Sequence, residues 1–137
     1  MTEPLATLVD TNVIFDVLYD DPVWAEWSTL QLDAAALRGA VAINDIVYAE
    51  LSVRFESIEA LDQTVADMEL MIAPMPRSAL FMAGKVFARY RALGGVRTSI
   101  LPDFILGAHA STLAVPLLSR DARRYRTYFP RLELVAP

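Results

Sequence analysis

The sequence predicts an α/β domain with a mostly parallel sheet flanked by helices, and three observations predict it. Short apolar runs such as Leu5-Ala6-Thr7-Leu8-Val9, Ala40-Val41-Ala42-Ile43 and Ala114-Val115-Pro116-Leu117-Leu118 have no polar face, as buried strands require. Between them lie longer stretches whose apolar residues recur at helical spacing. At the junctions stand Asp, Asn or Ser, which suit a strand running into a capped helix.

Taken in order, the first strand runs into Asp10, and Val13, Ile14, Val17 and Leu18 set the first helix. Asp20-Asp21-Pro22 marks a turn, with Pro near the first position of a helix over 24–38 that Gly39 stops. The second strand ends at Asn44-Asp45, which caps a helix over 46–55. A further helix over 57–71 has Ile58, Leu61, Val65, Met68 and Ile72 as its buried stripe. Ile72-Ala73-Pro74-Met75 is a short strand, confined to a sheet edge by its proline. The helix over 77–93 carries Leu80, Phe81, Val86 and Tyr90 and closes at Gly94-Gly95. Leu101-Pro102-Asp103 opens the next helix, followed by the strand that runs into Ser119-Arg120-Asp121. A helical turn at 123–125 and a last strand, Leu132-Glu133-Leu134-Val135, complete the chain.

At 137 residues the chain fits a single domain, 1–137. Its 55% hydrophobic content and mean hydropathy of +0.35 are high for that size, so apolar surface is expected to serve a partner or a second copy. No apolar run reaches the roughly 18–20 residues of a membrane helix, and Met1-Thr2-Glu3-Pro4 lacks a basic signal-peptide head. Absence of cysteine excludes disulfide and thiolate chemistry and fits a reducing cytoplasm. The single histidine, His109, leaves little room for imidazole catalysis; lying six residues after Asp103, it reads as packing or interface.

The net charge of −5 hides an asymmetry: residues 1–76 carry a net −12, and residues 77–137 a net +7. Eleven of the twelve cations are arginine, suited to bidentate contacts with phosphate or carboxylate. Whole-chain acidity argues against indiscriminate nucleic-acid binding, whereas a basic half is a local footprint that a phosphate backbone can use. Internal salt bridges are the plainer use of the same residues.

Four carboxylates hold positions that converge in such a fold. Asp10 and Asp121 follow apolar strands, Asp103 opens a helix directly before one, and Glu50 sits one turn into a helix among apolar neighbours. Each has a structural role open to it: a cap for Asp10 and Asp121, a favourable N-terminal charge for Asp103, a half-exposed helix former in Glu50. Packed together, they would resist ionising unless a cation lay among them. Hard oxygen ligands suit Mg2+ or Mn2+, and such a site suits hydrolysis of a phosphodiester.

Leu8-Val9-Asp10-Thr11-Asn12-Val13, Ile46-Val47-Tyr48-Ala49-Glu50-Leu51, Leu101-Pro102-Asp103-Phe104-Ile105-Leu106-Gly107-Ala108-His109-Ala110 and Leu118-Ser119-Arg120-Asp121 resemble the four signature segments of PIN-domain endoribonucleases. Size and segment order most resemble the VapC toxins of toxin–antitoxin modules. The resemblance implies a PIN-like, mostly parallel five-stranded sheet flanked by helices, a Mg2+- or Mn2+-dependent ribonuclease, a homodimer, and a cognate antitoxin lying over the active-site groove. It implies Asp10 and Asp103 as direct metal ligands. Asp121 and Glu50 would then bind through water, hold a second ion or orient the attacking water. Thr11, Asn12 and Ser119 match supporting polar positions, with Ser119 standing where Thr is frequent. Asp45 has no counterpart in the pattern.

Arg97, Arg120, Arg123, Arg124 and Arg126 lie near the acidic set in sequence and are candidates for RNA phosphates, with Asn12 and Ser119 as further substrate-binding candidates. Trp24, Trp27 and Tyr48 suit either a partner surface or the core. Rival chemistries lack their residues. A dehalogenase-like phosphatase needs Asp where Asn12 stands, and a P-loop needs a glycine ahead of Gly84-Lys85. A serine hydrolase needs a Gly-x-Ser-x-Gly elbow and a suitable histidine. The remaining alternative is a catalytically silent PIN-like interaction module, which tends to lose members of the acidic set; all four are present.

Overall fold

The computed structural model describes residues 4–137; Met1, Thr2 and Glu3, part of the stretch read for a signal head, lie outside them. The strands are β1 (Leu5–Val9), β2 (Ala40–Ile43), β3 (Leu70–Ile72), β4 (Leu117–Leu118) and β5 (Leu134–Val135). The helices are α1 (Thr11–Leu18), α2 (Ala25–Arg38), α3 (Asp45–Ser52), α4 (Ile58–Asp67), α5 (Arg77–Ala92), α6 (Leu101–Leu113) and α7 (Ala122–Tyr128). All strand pairs are parallel, in the order β3-β2-β1-β4-β5. Leu8 and Val9 on the central strand, Ile43 on β2 and Leu117 and Leu118 on β4 are fully buried, as expected of strands covered on both faces.

Helix starts follow the caps that the sequence offers. The carboxylate of Asp10 accepts from Thr11 N–H, the Asn44 side chain from Val47 N–H, and the Ser57 hydroxyl from Ala60 N–H. Asp21 accepts from the amides of Val23 and Trp24, so Pro22 belongs to a turn ahead of α2 rather than to its first position. At the end of α5, Gly94 N–H bonds to the Arg91 carbonyl and Gly95 N–H to that of Tyr90.

Several boundaries differ from the sequence reading. The helix expected over 57–71 stops at Asp67, Glu69 turns the chain at φ 56°, and Leu70–Ile72 becomes β3. Three residues are too few for strand alternation to separate from a helical stripe, so local pattern alone places Ile72 on the helix; Ile58, also expected in that stripe, is exposed. The edge position of this strand is as expected. On α5 the buried residues are Ala79 and Ala83, while Leu80 and Phe81 face outward. Ala114, at φ 55°, ends α6 in the left-handed region and delays β4 to Leu117. α3 ends at Ser52, and the turn expected at 123–125 is a helix through Tyr128.

α6 is the buried helix, and its Phe104 meets Tyr128, Tyr90 and Phe129 with ring centroids 4.9, 5.6 and 6.3 Å away. Gly107, one turn on, lets the buried Phe129 ring lie against the helix: a Cβ there would stand 2.6 Å from a ring carbon. Alanine normally gains about 1 kcal/mol over glycine within a helix, but overpacking a filled core costs about 1–3 kcal/mol. Gly107→Ala is therefore expected to lower unfolding free energy in urea despite its better helix propensity. No helix among the described residues is long and apolar enough to cross a membrane.

Candidate active site

The strand order sets where a site can form. The connection leaving β1 leads to β2 on one side, while β4 joins β1 from the other. The carboxyl ends of β1 and β4 thus flank the switch point, where open parallel sheets bind ligands. Asp10 directly follows Val9 of β1, and Ser119-Arg120-Asp121 directly follow Leu118 of β4.

Asp10 is 7% exposed and held from three directions. Its Oδ1 accepts from Thr11 N–H at 2.7 Å; its Oδ2 accepts from the Ser119 hydroxyl at 2.8 Å and the Tyr125 hydroxyl at 2.9 Å. The Asn12 amide adds a longer contact to Oδ2 at 3.5 Å, which leaves the remaining acceptor capacity on Oδ1. Burial raises the Asp10 pKa; the bonds from Ser119, Tyr125 and Thr11 work against that rise, and the charge of Asp121 adds to it. Burial, then the Asp10 charge, push Tyr125 well above its ordinary value, so its hydroxyl keeps its proton and donates.

The other three carboxylates come from α3, α6 and the start of α7. Glu50 Oε1 accepts from the Thr11 hydroxyl at 2.8 Å; burial and then the Asp10 charge raise its pKa, and that bond opposes them. Asp103 is pushed up to about 6, first by burial and next by the charge of Asp10, with Arg124 opposing and Glu50 adding. Asp121 is 48% exposed at the outer rim. These groups feel one another's charge, the signature of carboxylates sharing one region. Arg124 reaches into it: its Nη1 donates to Asp103 Oδ2 and stands 4.0 Å from Asp121 Oδ2.

Among the described residues no three carboxylate or histidine side chains close into a ready-made ion site. The chemistry of the set nevertheless fits a hard divalent cation: oxygen donors alone, drawn from four elements, three with pKa values raised at one edge. Arg124 is the positive charge that the edge now holds.

Two of the substrate-binding candidates serve the frame instead. Ser119 is fully buried, its hydroxyl donating to Asp10 and accepting from Asp121 N–H, so it cannot reach a substrate. Asn12 spends its amide NH2 on Ser119 (3.3 Å) and Asp10 (3.5 Å), and its Oδ1 accepts from Arg120 N–H. Arg120, offered to phosphates by the sequence, takes the salt-bridge alternative. Its Nε and Nη2 grip the two oxygens of Asp16 at 2.7 and 2.9 Å, with Trp24 stacked 5.3 Å away. Arg97 and Arg123 are exposed and have no carboxylate partner among the described residues.

His109 is packing: it is buried, its Nδ1 faces the Asn44 amide at 3.2 Å, and burial lowers its pKa. Trp24 and Trp27 are half-buried and meet edge to face, while the Tyr48 hydroxyl donates to Asp62. Asp45 is exposed at the start of α3. Sequence reasoning missed Tyr125 and Asp16. Tyr125 follows Asp121 by four residues, so a longer reading of that helix would have put both on one face. Asp16 stands 104 residues from Arg120, a pairing for which a single sequence carries no signal.

With this geometry in place, the chain compares with known proteins as follows. The family model described as the PIN domain matches residues 7–130. No curated protein matches the chain. Among solved structures, VapBC2 from Rickettsia felis bound to a promoter DNA fragment aligns at TM-score 0.74 and 18% identity, covering 98% of this chain and 99% of its own. VapBC-1 from nontypeable Haemophilus influenzae aligns at TM-score 0.70 and 15% identity, covering 97% and 98%. A toxin–antitoxin complex from Klebsiella pneumoniae aligns at TM-score 0.69 and 19% identity, covering 95% and 96%. At such identities these likenesses speak for the fold.

Proposed function

The chain belongs to the PIN-domain family, and we propose that it is a metal-dependent endoribonuclease acting as the toxin of a toxin–antitoxin pair. What carries the reading is the single edge, at the β1/β4 switch point, toward which Asp10, Glu50, Asp103 and Asp121 come from separate elements. Burial first, and one another's charge after it, raise the pKa values of Asp10, Glu50 and Asp103, an arrangement for which a domain kept only for protein contact has no use. The toxin role draws support from neighbours of the same fold and similar length, two of them VapBC proteins and one a toxin–antitoxin complex.

In this reading Asp10 and Asp103 would hold Mg2+ or Mn2+, and Asp121 and Glu50 would bind through water, hold a second ion or orient the attacking water. The ion's contribution is Lewis acidity toward a phosphodiester oxygen and toward water. The protein's part is positional. Ser119, Tyr125 and the Thr11 amide fix the Asp10 carboxylate, and the Thr11 hydroxyl aims Glu50. Arg124 neutralises Asp103 when no ion does. The partners are an RNA substrate, a cognate antitoxin and a second copy of the chain, in the cytoplasm. Leu30 and Leu37, exposed seven residues apart on α2 with Leu37 at 90%, support an apolar partner surface along that helix.

The test joins binding to cleavage. Asp103 has a folded-state pKa of about 6 against an ordinary 3.8, so ionising it costs the ion-free protein stability as pH rises through that window. A divalent ion needs the ionised form and repays that cost. Mn2+ is therefore expected to raise the melting temperature above neutrality, and the rise to fade as pH falls through about 6. RNA cleavage should follow the same pH limb and stop in EDTA. Cleavage that persists in EDTA, or a melting temperature indifferent to Mn2+ at every pH, overturns the reading.

A further inference from the structure

Beside the acidic edge lies a cleft of about 400 Å3, bordered by Tyr90, Arg97, Asp121, Arg123, Arg124 and Tyr128. Its volume falls in the range of small-ligand sites. Asp121 belongs to both places, so the cleft opens directly onto the edge where a scissile phosphodiester would lie.

The cleft has a built wall and a built floor. The wall is the loop after α5. Gly95 lies so close to the Tyr90 ring that a Cβ would meet its carbons at 2.4–2.5 Å, and Arg97 N–H donates to the Tyr90 hydroxyl at 3.0 Å. Together they hold the Arg97 segment against the ring. The floor is Tyr90 and Tyr128, 5.8 Å apart and edge to face, both backed by Phe104. Edge-to-face stacking against a buried ring fixes their planes.

The charge is the second clue. In a chain of net −5, Arg97 and Arg123 stand exposed without a carboxylate partner among the described residues, next to a site rich in carboxylate. Acidic residues repel an incoming polyanion, so cations that remain uncommitted at their rim are where a phosphate can be held. An acidic peptide would meet Asp121 at the same rim, with no continuation into the acidic edge. An RNA strand continues there through its own backbone.

We infer that this cleft is a nucleotide subsite: it seats the RNA nucleotide adjoining the scissile phosphodiester. Arg97 and Arg123 hold the phosphate of that nucleotide, and Tyr128, the floor ring that Gly95 does not cover, takes the face of its base or ribose. The inference rests on the ribonuclease reading above, and its test separates the two.

A short labelled single-stranded RNA is titrated in EDTA against wild type, the Arg97→Ala/Arg123→Ala double variant, Gly95→Ala, and Arg131→Ala as an exposed arginine outside the cleft. The double variant is expected to weaken binding about tenfold and to lower the slope of log K against log salt by about 0.7, the change for one phosphate that is no longer neutralised. Gly95→Ala removes no charge, yet it weakens binding by pushing the Arg97 wall off Tyr90. Arg131→Ala leaves binding unchanged. Wild type that does not bind, a double variant within about twofold of wild type with the same slope, or an equal loss in Arg131→Ala each overturns the subsite. With Mn2+ added, the double variant should raise KM far more than it lowers kcat. Wild type that binds through the cleft and does not cleave defeats the ribonuclease reading alone; cleavage with KM unmoved in the double variant defeats the subsite alone.

Discussion

Asp10→Asn is expected to lower RNA cleavage by at least about a hundredfold while leaving the fold intact, because groups that merely orient a metal ligand already cost about 10–100-fold when removed. Asparagine keeps the acceptor that caps α1 at Thr11 N–H, and the Tyr125 hydroxyl can rotate to accept from the new amide, while Ser119, which already accepts from Asp121 N–H, does so by giving up its longer contact with Asn12. What disappears is one negative charge from a site 7% exposed. Burial already raises the Asp10 pKa, so the neutral side chain suits the ion-free protein better than the ionised one. The variant should accordingly melt at or above wild type in EDTA and lose the Mn2+-dependent rise. Full cleavage by Asp10→Asn, or a Mn2+ rise equal to wild type, would remove Asp10 from the metal site. Abolished activity accompanied by a fall in stability would show a cap and nothing more.

The order of elements was legible because burial on both faces leaves a plain mark in the sequence. β1 and β2 appear as continuous aliphatic runs, and Asn44 and Ser57 announce their helices. β3 was legible only at Ile72, since pairing with β2 from Val41 to Ile43 also takes in Leu70 and Met71, which local pattern assigns to a helix. Three of the acidic candidates stood out because Asp10 and Asp121 sit beside strand ends and Asp103 in a first turn, where residue type and place are both informative; Glu50, one turn into α3 among apolar neighbours, stood out from a half-exposed helix former only through the resemblance. Its wiring could not. Ser119 lies 109 residues from Asp10 and Tyr125 lies 115 residues away, so which hydroxyl meets which carboxylate depends on the tertiary fold. The same holds for the arginines. Arg120, Arg123 and Arg124 are near neighbours in sequence, yet the first grips Asp16, the second lines the cleft and the third pairs with Asp103.

Arg120→Met is expected to cost about 3–5 kcal/mol of unfolding free energy, the usual penalty for stripping a buried charge of its partner. Asp16 is 2% exposed, and both its oxygens face the guanidinium of Arg120; the Ser28 hydroxyl, itself fully buried, is the other donor at 2.7 Å. Methionine fills the space over Trp24 but leaves the carboxylate with Ser28 alone. The reverse change, Asp16→Asn, should be milder by a factor of about two, because the arginine is 30% exposed and keeps water and one amide oxygen. That ordering, arginine removal worse than carboxylate removal, distinguishes a buried-charge effect from the loss of a favourable pair, for which the two changes would cost the same. The backbone adds a functional consequence. Arg120 N–H bonds to Asn12 Oδ1, tying the segment that carries Ser119 and Asp121 to the start of α1, next to Asp10. Loosening the Arg120 side chain should therefore lower kcat even at temperatures where the variant is fully folded. Denaturant unfolding of both variants, read beside their cleavage rates below the onset of melting, measures the two effects separately. Equal stability losses for the two changes would mean that Asp16 is solvated well enough to do without its partner.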